Sequence, residues 1–180
     1  MTRTGTWIDT TGGPHLLIPF EKLPFWRGIE GWRNHQGPKD QSDYARACRV
    51  NTWLGSIVCG DGAAIVFSGD IGDVAWYASD RGDRGHFVQW LGVDDERLID
   101  LALRAPQLRD DLCGADAERL EFKTGTSGVM WLIDASDPGD DLQGNHLTVV
   151  LRPGKYLARA VHYESVGLAI VVREIRWMSP

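Results

Sequence analysis

The 180-residue chain has little lysine, little glutamate and few cysteines, and each shortage excludes something. Only four of its 19 Lys and Arg residues are Lys, and with 25 acidic residues the formal net charge is −6. No basic stripe is present, so recognition of nucleic acid through phosphate neutralisation is not expected. No apolar run approaches the roughly 18 residues needed to cross a bilayer, and the polar stretch Met1 to Trp7 has no signal-peptide core. These two absences predict a soluble, cytoplasmic protein with no membrane partner. The three cysteines, Cys48, Cys59 and Cys113, form an odd set without CxxC spacing. They read as reduced, buried thiols that fill space.

Catalytic signatures are missing as well. The five histidines, His15, His35, His86, His146 and His162, form neither HxxxH nor HExxH, which leaves no zinc-hydrolase pattern. The Gly69-Asp-Ile-Gly72 stretch lacks the Lys-Ser/Thr ending of a phosphate loop, and no GxSxG occurs. The sequence predicts no catalytic residue, no cofactor and no metal site.

Aspartate, glycine and tryptophan are abundant instead. Eighteen of the 25 acids are Asp, beside 21 Gly and eight Trp. Asp favours turns and caps where Glu favours helix interiors, so the chain reads as many short elements joined by tight turns. Apolar β-like segments recur, among them His15–Ile18, Ala63–Phe67, Val74–Tyr77, His86–Leu91, Val129–Ile133 and Leu168–Ile175. Gly60-Asp61-Gly62 has the chemistry of a hairpin turn, and Pro153-Gly154 is read as a second one between its flanking strands. The stripe Leu98, Ile99, Ala102, Leu103, Ala105 predicts a helix over 94–105, capped by Asp94 and ended by Pro106. A shorter helix is expected over 42–50.

The predicted fold is therefore α+β, mainly β: many short antiparallel strands in a sandwich-like or curved-sheet arrangement with one or two helices. One domain, 1–180, is expected, with β-rich halves at 5–93 and 116–178 joined by the helical segment. A faint internal echo supports two halves: Thr11–Ile18 lies against Thr126–Ile133, and the hairpin at 57–67 against 160–171.

Two acidic regions stand out as candidate surfaces for a basic partner: Asp70, Asp73, Asp80 and Asp83 in one, and Asp137, Asp140 and Asp141, beside Asp134, in the other. Complementary charge speeds and orients encounter. The second run lacks the ligand spacing of a calcium loop. Trp26 and Trp32 lie in a Gly/Pro-rich region and read as exposed anchors, either for a protein interface or for a sugar. The other six Trp lie in apolar segments and read as core or strand-pair aromatics.

Several segments in order carry a resemblance: Trp7-Ile-Asp-Thr-Thr-Gly-Gly-Pro-His-Leu-Leu-Ile-Pro19; Asp43-Tyr44-Ala-Arg-Ala-Cys48; Leu54-Gly55; Ile65-Val66-Phe67-Ser-Gly-Asp70 leading to Trp76; Phe87-Val-Gln-Trp90; Asp134 with Pro138-Gly139; and Pro153-Gly-Lys-Tyr156. From about residue 7 to 175 this order resembles the immunity protein 21 family of bacterial polymorphic toxin systems. The resemblance implies a non-catalytic antidote that binds a cognate toxin and blocks it, and the acidic loops fit a basic one. The alternative from the residues alone is a small-ligand or carbohydrate-binding β module using Trp26 and Trp32.

Overall fold

The computed structural model describes residues 2–29, 42–69, 72–79, 83–142 and 144–179, with side chains described from Thr6 onward. Asp70, Asp80 and Trp32 lie outside the described residues.

Among the described residues eleven strands form two antiparallel sheets. They are β1 (Thr2–Ile8), β2 (His15–Pro19), β3 (Gly55–Cys59), β4 (Gly62–Phe67), β5 (Val74–Ala78), β6 (Arg84–Val93), β7 (Glu118–Lys123), β8 (Val129–Asp134), β9 (His146–Val150), β10 (Lys155–Ser165) and β11 (Leu168–Ser179). One sheet runs β1-β5-β6-β11-β10-β7, the other β3-β4-β2-β8-β9. The α+β, mainly β architecture matches the expectation. Each sheet joins the first part of the chain to the second through one central pair, β6 with β11 and β2 with β8.

Alternation along the strands builds three apolar layers, because successive side chains point to opposite faces. Leu17, Ile65, Phe67, Leu132 and Val149 from the five-stranded sheet meet Val74, Trp76, Phe87, Tyr156 and Ile175 from the six-stranded sheet. This inter-sheet layer is the sandwich core. The outer face of the six-stranded sheet, with Val88, Ile170 and Val172, is covered by Ile99, Leu108 and Leu112 from two helices. The outer face of the five-stranded sheet, with Leu16, Ile18 and Ile133, is covered by Leu23, Trp26, Ala47 and Leu142.

The helices depart from the expectation. α1 is Asp43–Ala47, where the Ser42 hydroxyl accepts from Ala45 N at 3.1 Å. The segment expected as one helix over 94–105 holds only α2, Arg97–Ala102, with Glu96 rather than Asp94 at the N-cap. Pro106 then opens α3, Pro106–Cys113, instead of closing α2. The reason is positional: the first turn of a helix has no partner for its N–H groups, so proline fits there well. A 3-10 helix covers Phe20–Phe25.

The two turn expectations divide. Gly60-Asp61 joins β3 to β4, with Cys59 opposite Gly62 and Gly60 at φ +59°. Pro153-Gly154 closes no hairpin. β9 pairs with β8 in one sheet and β10 with β7 and β11 in the other, so these residues carry the chain between sheets. Thr124 N donates to Gly154 O at 3.1 Å and anchors the crossing.

Of the cysteines, only Cys59 is buried; Cys48 and Cys113 are exposed, which corrects the reading of three buried thiols.

Candidate functional site

The end of β8 leads into an acidic loop, and its rigidity comes from buried neighbours. Asp134 is buried and makes no surface. Its carboxylate accepts from Thr11 N at 2.6 Å, Thr11 Oγ1 at 2.9 Å and Ser136 N at 2.8 Å, a turn-holding arrangement. Trp26 is fully buried, which corrects the expectation of an exposed anchor. Its Nε1 donates to Ala135 O at 3.1 Å, and Gly139 N donates to Trp26 O at 2.9 Å. Two glycines allow the chain segments to touch. A Cβ on Gly28, at φ +52°, would stand 2.3 Å from Ser136 O, and one on Gly139 would stand 2.0 Å from Leu23 O.

On this frame Asp140 and Asp141 are exposed and Asp137 is half-buried. Burial raises the Asp137 carboxyl to about 6, helped by the negative charges of Asp134, Asp141 and Asp9. The site thus contains Asp9, which the sequence reading missed. Asp9 follows β1 and accepts from Asn145 Nδ2 at 3.0 Å. Its only local signal was its place directly after an apolar Trp7-Ile8 strand end.

Strand register decides what joins this cluster. Ile8 lies opposite Val74, so Asp9 and Asp73, the next residues outward on each strand, flank the same end of the sheet. Asp73 is exposed there. Asp83 is not part of it. It precedes β6, whose first residues pair with the far end of β5, Ala78 opposite Gly85. A five-residue strand at about 3.3 Å per residue therefore separates Asp73 from Asp83. The region 70–83 is not one surface, because an antiparallel hairpin sends its two flanks to opposite ends.

The acidic end is Asp9, Asp73, Asp137, Asp140 and Asp141. Arg27 reaches it, 3.8 Å from Asp140, as an exposed pair, and such pairs contribute little. A second acidic hollow, also unforeseen, has Asp110, Asp111, Asp116 and Glu118 around Trp53 and His162, whose rings stack at 5.8 Å. Glu118 there accepts from Leu54 N at 2.8 Å. Four further tryptophan and histidine rings serve packing: Trp7 meets Trp90 edge-on at 5.4 Å, and Trp131 stacks on His146 at 3.9 Å.

Among the described residues no group of three or more His, Cys, Asp or Glu side chains could hold a metal ion. No helix of the described residues is long and apolar enough to cross a membrane.

The family model for immunity protein 21 matches residues 6–167. The chain belongs to the immunity protein 21 family. The match runs from β1 through both sheets into the turn before β11, so the acidic end lies wholly within the family region. Searches of curated proteins and of solved structures find no match. An immunity protein implies a toxin partner.

Proposed function

We propose that this immunity protein neutralises a cognate toxin in the cytoplasm by stoichiometric binding, without chemistry of its own, and that its acidic end covers a basic face of that toxin. The observation carrying the reading is the cluster of Asp9, Asp73, Asp137, Asp140 and Asp141 on a loop held by Trp26, Gly28 and Asp134. A charged rim of one sign steers an oppositely charged partner and fixes its orientation. A loop fixed before binding also loses little entropy on docking. Occlusion of the toxin's working cleft follows from seating this end against it.

The carbohydrate reading draws no support from Trp26, whose ring has no exposed face to stack on a sugar.

Co-expression with the product of the adjacent reading frame tests the proposal. Co-purification and rescue of growth are expected, with affinity falling as salt rises. Reversing Asp137, Asp140 and Asp141 to Lys should weaken capture at least tenfold. Absence of both binding and rescue overturns the antidote reading, and unchanged capture by the triple variant overturns this surface.

A further inference from the structure

The outer face of the six-stranded sheet is apolar only where α2 and α3 cover it. Beyond the helices the same face turns basic. Arg84 lies directly opposite Arg176 across β6 and β11, and Arg119 directly opposite Arg159 across β7 and β10. Like charges facing each other across strands destabilise a sheet. Glu174 stands among them, between His86 and Arg159 in register and 3.5 Å from Arg159, and Glu121 follows Arg119 on the edge strand.

Where this strip meets the helices there is a pocket of about 240 Å³. Arg84, Arg104 and Arg109 line it, with His86 and Glu174 toward the sheet and Leu108 among its apolar walls. Each arginine comes from a different piece of the fold: the start of β6, the α2–α3 connection and α3. All three are exposed, and none forms an ion pair among the described residues. Glu174 is taken by Arg159, and the neighbouring Asp83 carboxylate by the Ser79 hydroxyl at 3.3 Å. Three guanidinium groups around one hollow, with no ion pair among the described residues, are out of keeping with a chain carrying six more acids than bases.

We propose that this pocket binds a phosphate group borne on a small, partly apolar molecule, a phosphomonoester. Guanidinium forks match phosphate oxygens in pairs. Three positive charges fit a dianion better than a singly charged carboxylate. The apolar walls at Leu108 and its neighbours receive the body of the ligand. His86 supplies a neutral polar floor: burial, then the charge of Arg84, lowers its pKa to about 4. The site is independent of the toxin reading and lies on the helical face, away from the acidic end.

Phenyl phosphate, benzoate and inorganic phosphate, titrated separately at physiological salt and followed by calorimetry and by the His86 ring resonances, form the test. Phenyl phosphate should bind saturably and shift His86, benzoate at least tenfold more weakly. Arg104→Ala and Arg109→Ala should each weaken phenyl phosphate at least fivefold. Arg97→Ala, at an exposed arginine paired with Asp95 outside the pocket, should leave it unchanged. Thermal unfolding of each variant separates lost binding from lost fold. The proposal is overturned if phenyl phosphate fails to saturate, if benzoate binds as tightly, or if the Arg84/Arg104/Arg109 triple alanine variant still binds. Inorganic phosphate binding as tightly as phenyl phosphate overturns the apolar half of the assignment.

Discussion

Leu17 and Leu132 lie directly opposite each other at the centre of the β2–β8 pair, and the pairing reads the same when the two strands are exchanged. On one side His15 faces Asp134 and Leu16 faces Ile133; on the other Pro19 faces Met130 and Ile18 faces Trp131. The sequence echo of Thr11–Ile18 with Thr126–Ile133 assigns Leu17 to Leu132, the pair on that local two-fold. The other echo, 57–67 with 160–171, spans β3–β4 in one sheet and β10–β11 in the other.

Both leucines are fully buried in the inter-sheet layer. Leu17→Ala and Leu132→Ala should each lower stability by about 2–5 kcal/mol, the range for a buried leucine truncated in a packed core. Urea unfolding of the two single variants should give losses of similar size. A difference of several kcal/mol would show that the local two-fold does not extend to the packing around it.

Arg173 is fully buried on β11, yet no carboxylate pairs with it among the described residues. Its Nε donates to Trp53 O and its Nη2 to Ser68 O, both at 2.8 Å, and its guanidinium lies 4.7 Å above the Phe67 ring. The fork therefore fastens the segments before β3 and after β4 to the other sheet. Arg173→Lys keeps the charge but not the geometry. It should lower stability by about 2 kcal/mol, roughly the value of one charge-assisted hydrogen bond. Faster amide exchange through residues 53–56 should accompany the loss.

Two groups shift stability with pH in opposite directions. Burial lowers the His15 pKa to about 4, and its Nε2 donates to Ile8 O at 3.1 Å. The folded state takes up this proton later than the unfolded chain does. The contribution is therefore present above about pH 6.5 and lost as pH falls toward 4, about 3 kcal/mol for a shift of this size. Asp137, raised to about 6, is the reverse: its folded form holds a proton more tightly, so stability falls as pH rises from about 4 to 6. Asp137 is half-exposed and solvent screens it, so its share is below about 1 kcal/mol. His15→Gln should flatten the loss of urea resistance between pH 6.5 and 4. Asp137→Asn should raise stability at pH 7 and leave it unchanged at pH 3.

Trp26→Phe keeps most of the ring volume and deletes the donor to Ala135 O. A loss of about 1–3 kcal/mol is expected from the carbonyl left unpaired. Hydrogen exchange should quicken at Gly139, whose N–H bonds to Trp26 O. If exchange at Gly139 is unchanged, Trp26 does not hold the acidic loop.

The strands were legible as short apolar runs set between small and polar turn residues, as Ala63–Phe67 is between Gly60-Asp61-Gly62 and Ser68-Gly69. What escaped is what one-dimensional signals carry ambiguously. Pro106 can end a helix or begin one, and Pro153-Gly154 can turn a hairpin or cross between sheets; only the pairing of distant strands decides. Trp26 sits among charged residues, proline and glycine that look exposed, while its partners, Ala135 and Gly139, are more than 100 positions away. The same long-range pairing explains the candidate surface. Asp137, Asp140 and Asp141 were visible as a run, whereas adding Asp9 and Asp73 and removing Asp83 depended on the register of β1, β5 and β6.

The two central pairs, β2 with β8 and β6 with β11, set an order on the birth of the molecule. During synthesis β2 and β6 leave the ribosome well before β8 and β11, their partners in these central pairs, exist. Both are largely apolar, so each sheet passes through a stage with an open hydrophobic edge, the situation that favours wrong pairing between chains. An early truncation before β8 should therefore yield insoluble protein, not half of a folded sandwich.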